Sequence, residues 1–252
     1  MFDFYQNRYE LKKLLRSQEW PQAIEEDLLT HDETARAHSI IYLMVGPDLL
    51  PKTKSLLDYG CGSNKVVEIC PEYNIQNAVG YDIQGPGVTN FQEVIDRGPY
   101  DAIIANDVLD HLVGETIDEA VIKMKSVLSP DGHIFIRCHP YISRTGTHLP
   151  SYGINKAYAH LFFPELTGEH TLKIQRPAYT YQESFYRNGL IIEYRVFCRQ
   201  KIEEFFTENE QLFSVFQKIT ETEESYQMRL QNVEYVLRAT QTTDLSTDSS
   251  SE

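Results

Sequence analysis

The sequence predicts an α/β domain: a mainly parallel sheet with helices on both faces. Three observations carry that prediction. Short apolar runs alternate with helix-like segments through the middle of the chain; the apolar run at Leu56 gives way to Asp58 and the glycines Gly60 and Gly62; and 252 residues with 41% hydrophobic and 12% aromatic content can bury one substantial core.

The elements follow in order. Residues 1–50 read as a helical cap, because DETARAHSIIYLM offers Asp32 as an N-cap and then a moderately apolar face; it is expected over the sheet edge or as a lid. The main domain spans 51–240 and opens with SLLDYGCGSNKVVEIC, a buried strand running through a glycine turn into a helix that starts near Ser63. AVGYDI (78–83), YDAIIANDVL (100–109) and GHIFIRC (132–138) read as further strands. Between them, IDEAVIKMKSVL places Ile117, Val121, Met124 and Leu128 at helical spacing before SPDG breaks the pattern. Later, YQESFYRNGLIIEYRVFC reads as helix, glycine stop and strand, and QMRLQNVEYVLRA (227–239) as one more strand. Two insertions interrupt this scheme: a long connection at 139–179, and an acidic helix at 201–225 whose many glutamates read as a solvated face. Residues 241–252 form a polar tail expected to be disordered.

Charge and cysteine usage narrow the function. A formal charge of -14 opposes broad binding to nucleic acid or to an anionic membrane, leaving room only for a local basic patch. Cys61, Cys70, Cys138 and Cys198 form no CxxC pair, so four reduced thiols in a cytoplasmic protein are expected. The start MFDFYQNRYELKKLL lacks the apolar core of a secretory signal, and no segment is apolar for the ~20 residues that a membrane span needs. The histidines at 139, 148, 160 and 170 lack a zinc spacing, so no metal is expected.

The glycine turn carries the first functional reading. Gly60 and Gly62 allow a turn that side chains would block and let another molecule approach the main chain, while a following helix would offer unpaired N–H groups to an electron-rich ligand. A nicotinamide dinucleotide would favour a third glycine, and Lys65 stands there instead.

LLDYGCGSN resembles the first motif of class I S-adenosylmethionine-dependent methyltransferases, Asp-x-Gly-x-Gly after the first strand. In order, YDAIIANDVLDHL resembles that family's fourth strand and following turn, and VLSPDGHIFI its helix, turn and fifth strand. The resemblance implies a Rossmann-like fold with a seven-stranded sheet and S-adenosyl-L-methionine as methyl donor. It implies that Asp58, Gly60, Cys61 and Gly62 border the methionine part, that Asp82 holds the ribose with Ile83 beside it, and that Asn106 approaches from the fourth strand. VTNFQEVIDRG departs from a tidy third-strand pattern, and Phe91 or Gln92 is the candidate adenine neighbour.

On the acceptor side, Asp107 and His111 follow the fourth strand on the ligand side of such a sheet, and His111 falls where the family has its LEH histidine. With His139 they form the candidate catalytic set, needed only if the acceptor must lose a proton. The 139–179 connection is the locally basic part of an acidic chain, so Arg144, His148 and Lys156 are candidates for an anionic acceptor group, a phosphate or carboxylate. DPPY after the fourth strand, a Pro-Cys nucleophile and a double-glutamate arrangement are absent, which weakens DNA adenine, cytosine and protein arginine acceptors. The expected function is methyl transfer to an unidentified acceptor, with other chemistry on the same donor as a second reading. A non-catalytic S-adenosylmethionine-binding or assembly protein is the third.

Overall fold

In the segment SLLDY every residue after Ser55 is buried, as a strand covered on both faces requires. This computed structural model describes residues 33–112, 114–139, 178–199 and 230–240. Its strands are β1 (Ser55–Tyr59), β2 (Asn77–Tyr81), β3 (Tyr100–Asn106), β4 (Leu128–Cys138), β5 (Leu190–Arg199) and β6 (Leu230–Ala239). They form one sheet in the order β2-β1-β3-β4-β6-β5. The pairs β1 with β2, β1 with β3 and β3 with β4 are parallel, whereas β6 runs antiparallel between β4 and β5.

The helices are α1 (Glu33–Ile40), α2 (Lys65–Ile69), α3 (Phe91–Arg97), α4 (Ile117–Ser126) and α5 (Ala178–Arg187). Strand alternation sends Leu57, Tyr59, Ile103 and Ile134 to one face, where Val94 of α3, Val121 and Met124 of α4 and Phe185 of α5 pack on them. Leu56, Ala102, Ile104 and Phe135 face the other way, onto Ala37 and Ile40 of α1 and Val66 and Ile69 of α2. Helices therefore cover both faces, and the N-terminal helix lies on the second one rather than along an edge.

Local chemistry sets several boundaries. The Thr116 hydroxyl accepts the Glu119 N–H (3.2 Å) and the Glu119 carboxylate accepts the Thr116 N–H (2.7 Å), a capping box that starts α4. Gly189, with φ +69°, ends α5 and turns the chain into β5. β3 ends sooner than the sequence suggests, at Asn106, because Asp107 adopts a left-handed conformation (φ +57°).

The expected seven strands are six among the described residues. Where the seventh would lie beside β2, there is a single parallel bridge between Tyr81 and Val88. Asp82 N–H donates to the Val88 carbonyl (3.1 Å) and Val88 N–H to the Gly80 carbonyl (2.7 Å), so the chain folds straight back on β2. Asn90 then ends the extended run by accepting the Gln92 N–H and capping α3. The tight return leaves no room for a crossover helix, and a Cβ at Gly87 would sit 2.5 Å from the Gly80 carbonyl oxygen.

The expected Asp32 cap, most of the 139–179 cover, the 201–225 insertion and the 241–252 tail lie outside the described residues.

Candidate functional site

The parallel register brings the carboxyl ends of β1, β2, β3 and β4 to one edge of the sheet, where open α/β sheets bind ligands. The glycine turn stands there, held from below. Gly60 N–H (2.7 Å) and Cys61 N–H (3.1 Å) both donate to the Tyr81 carbonyl. Gly60 has φ +79°, and a Cβ on it would lie 2.4 Å from Val108 Cγ2, so its glycine requirement is internal packing. Gly62 differs: with φ +50°, an added Cβ would meet nothing within 4 Å among the described residues. Its open side is where a ligand can approach the main chain. The following helix contributes less than expected, since α2 is five residues long and starts at Lys65 behind a left-handed Asn64.

Asp82 clamps this turn. One carboxylate oxygen accepts the Gly62 N–H (3.0 Å), and the other accepts the N–H groups of Gln84 (2.8 Å) and Gly85 (3.1 Å). A carboxylate offers about four lone-pair positions, so about one remains for a hydroxyl. The residue expected to grip a ribose thus first shapes the loop. Ile83, beside it, is 55% exposed, a large apolar side chain held out at the same edge.

Asp58 lies beneath, buried. Burial, and then the nearby Asp82 charge, push its carboxyl up to about 7. Two carboxylates under an open turn form a site suited to a positively charged group. The Cys61 thiol is pushed up to about 12 by burial and then by Asp58 and Asp82, which makes it a packing group rather than a nucleophile.

Phe91 is one of the candidate adenine neighbours. It begins α3 and meets Tyr81 (5.3 Å between centroids) and Tyr59 (6.5 Å) edge-on, with Lys123 Nζ 5.5 Å from its ring centre. Tyr59 O–H donates to Glu115 (2.8 Å), which also pairs with Lys123 (2.6 Å). These contacts make Phe91 part of the packed aromatic layer, because the shortened return after β2 carries it onto α3.

A second cluster forms where β3 and β4 end. Asn106 closes β3; its Nδ2 donates to Asp107 (3.1 Å), while its buried Oδ1 has no hydrogen-bond partner among the described residues. Asp107 N–H donates to the Arg137 carbonyl (2.9 Å), which ties the turn to β4. The carboxylate of Asp107 faces His139 Nε2 at 3.3 Å and Arg36 at 3.4 Å. Asp110, 2% exposed, accepts the His139 N–H (3.2 Å) and lies 3.8 Å from His111 Nε2. The three candidate catalytic residues Asp107, His111 and His139 therefore gather in one place.

Asp110 and Arg36 were not among the expected site residues. Asp110 stood inside the quoted NDVLDHL, where a second carboxylate beside Asp107 was a visible signal. Arg36 carries none, since it arrives from α1, 71 positions before Asp107. Arg144, His148 and Lys156 lie outside the described residues. Among the described residues, no group of three or more His, Cys, Asp or Glu is placed to hold a metal ion, and no helix is long and apolar enough to cross a membrane.

Comparison with known proteins agrees with this layout. The family model described as a methyltransferase domain matches residues 30–171. Among solved structures, an S-adenosylmethionine-dependent methyltransferase from Listeria monocytogenes, described as putative, superposes with a TM-score of 0.53 at 14% identity, covering 82% of this chain and 100% of the other. Another such methyltransferase, from Archaeoglobus fulgidus, gives a TM-score of 0.48 at 17% identity over 81% of this chain and 92% of the other. At these identities the likeness is one of fold. No curated protein sequence matches the chain.

Proposed function

The chain belongs to the methyltransferase-domain family, the class I enzymes that take their methyl group from S-adenosylmethionine, and from that premise we propose that it methylates a small acceptor at the carboxyl edge of β1–β4. The observation that carries the reading is the Asp82-clamped glycine turn with Gly62 open to ligand and the buried Asp58 below it. A cationic donor suits two neighbouring carboxylates beside an open turn. Asp58 would balance its charge and Gly62 would line its methionine part. Asp82 would offer its remaining lone pair to the ribose, and Ile83 would cover the adenine with otherwise costly exposed surface. Asn106, with its buried Oδ1 unmatched, would receive a donor group of the ligand.

Bound there, S-adenosylmethionine supplies an electrophilic methyl group on a sulfonium and leaves as S-adenosylhomocysteine. The chain's own work is to position the acceptor and, for a hydroxyl or similar acceptor, to remove a proton. His139 held by Asp107 is the proposed proton acceptor, and His111 beside Asp110 lies within the same cluster. The charge contrast of the 139–179 segment supports an anionic acceptor group met by Arg144, His148 and Lys156.

Calorimetric titration with S-adenosylmethionine, S-adenosylhomocysteine and NAD tests the cofactor, with Asp82→Ala as the variant. The expected result is binding of the first two only, lost or strongly weakened in the variant. Binding of NAD in place of both would overturn the reading. Cofactor binding without label transfer from a methyl-labelled donor to any acceptor pool would point to a non-catalytic binding protein.

A further inference from the structure

A cavity of about 350 Å³ opens on the face that carries α1. Its floor is the sheet at Phe135 of β4 and Val236 of β6, and its roof is the segment that follows α1, including Leu43 and Met44. Three features distinguish it from a packing fault. Residues Ile41–Val45 form a π-helical turn, a wide and rare geometry that recurs at functional sites, and it is followed by Gly46 at φ +78° and Pro47. Ile41, Met44 and Val45 of this turn are buried against the sheet, while Leu43 is turned away from it. Leu43, on the lining, is 62% exposed, an apolar surface left to water. The volume lies in the range of small-molecule sites.

The cavity is linked to the second cluster through Arg137. Glu234 lines it and pairs with Arg137 (2.9 Å to Nε), whose carbonyl accepts the Asp107 N–H. Among the described residues on the lining the charged ones are Asp48 and Glu234, both acidic, and Arg137 nearby is engaged by Glu234. An anion would meet repulsion here, and an uncharged apolar group would not.

We propose that this cavity receives the uncharged apolar body, a small ring system or short chain, of the molecule whose reacting atom sits at the Asp107 cluster. Its role as an acceptor subsite rests on the methyl-transfer reading; its ligand chemistry rests on the lining alone. The acceptor is then amphiphilic, its apolar part under Leu43 and any anionic part elsewhere.

The probe is N-phenyl-1-naphthylamine, a neutral fluorophore that brightens in apolar sites, titrated into the full chain and competed with 1-naphthol or 1-naphthoate. Val236→Trp fills the floor, and Leu43→Trp fills the mouth from an exposed position, so the second variant keeps the core intact if the first fails to fold. The expected result is saturable one-to-one binding that either variant weakens at least about tenfold, with naphthol competing at least about tenfold better than naphthoate. S-adenosylhomocysteine binding, followed in parallel, stays at the wild-type level. Absence of saturable binding, binding that both folded variants retain, or equal competition by naphthoate would overturn the proposal. Loss of S-adenosylhomocysteine binding in the wild-type protein, with the probe behaving as expected, would overturn the methyl-transfer reading and the acceptor role while the apolar ligand site stands.

Discussion

Replacing either glycine of the turn by alanine separates a residue that shapes the loop from one that faces the ligand. Gly62 has φ +50° and open space where a Cβ would go, so Gly62→Ala carries only the left-handed penalty, about 1–2 kcal/mol, or roughly 2–8 °C in Tm for a chain of this size. Its N–H to Asp82 survives the change. Gly60 has φ +79° and would place its Cβ 2.4 Å from Val108 Cγ2. Gly60→Ala therefore adds overpacking of about 1–3 kcal/mol to a similar backbone penalty. The expected pattern is a crossed one: Gly60→Ala loses more stability, whereas Gly62→Ala stays folded and binds S-adenosylhomocysteine at least about tenfold more weakly, a loss of roughly 1.4 kcal/mol or more. Thermal melts and calorimetry on both variants measure it. Wild-type affinity in folded Gly62→Ala would refute the idea that the ligand packs against this main chain, and equal melting of the two variants would refute the Val108 contact as the reason for Gly60.

Three further outcomes are expected. Asp58 has a folded-state value of about 7 against an ordinary 3.8, so the native state keeps a proton that the unfolded state releases between these values. Stability falls as pH rises through that window and levels off above it. In urea unfolding from pH 4 to 8, Asp58→Asn should remove a few kcal/mol at most of this fall; an unchanged pH slope would contradict the assignment. Thr116→Ala breaks the capping box of α4 and should cost about 1 kcal/mol in urea unfolding without changing S-adenosylhomocysteine affinity. Asp107→Asn keeps a side chain that tolerates φ +57° but removes the charge facing His139. With an acceptor in hand, turnover should drop by about 10²-fold or more while cofactor affinity stays within about twofold; equal loss of both would assign Asp107 to cofactor binding.

Much of the architecture was legible because its signals are local. The apolar run at Leu56–Leu57, the glycine turn and the helical spacing of Ile117, Val121 and Met124 each report on neighbours a few residues away, and together they determined the strand-helix order and the ligand edge of the sheet. The asparagine that caps α3 and the glycines after Asp82 are local signals too, and the structure turns them into a tight return with one bridge.

What tertiary structure alone decided depends on register and packing between distant segments. Asp82 spends most of its lone pairs on Gly62, Gln84 and Gly85, since the return after β2 folds against the glycine turn. Asp107 and His139 meet because β3 and β4 pair in parallel with Asn106 opposite Arg137. Arg36 joins them only because α1 packs on the second face of the sheet. The cavity beside Leu43 lies where the π-helical turn and Gly46 meet the sheet at Phe135 and Val236. Periodicity shows which side of an element is apolar; which element covers that side, and what space is left between them, is settled by the packed molecule.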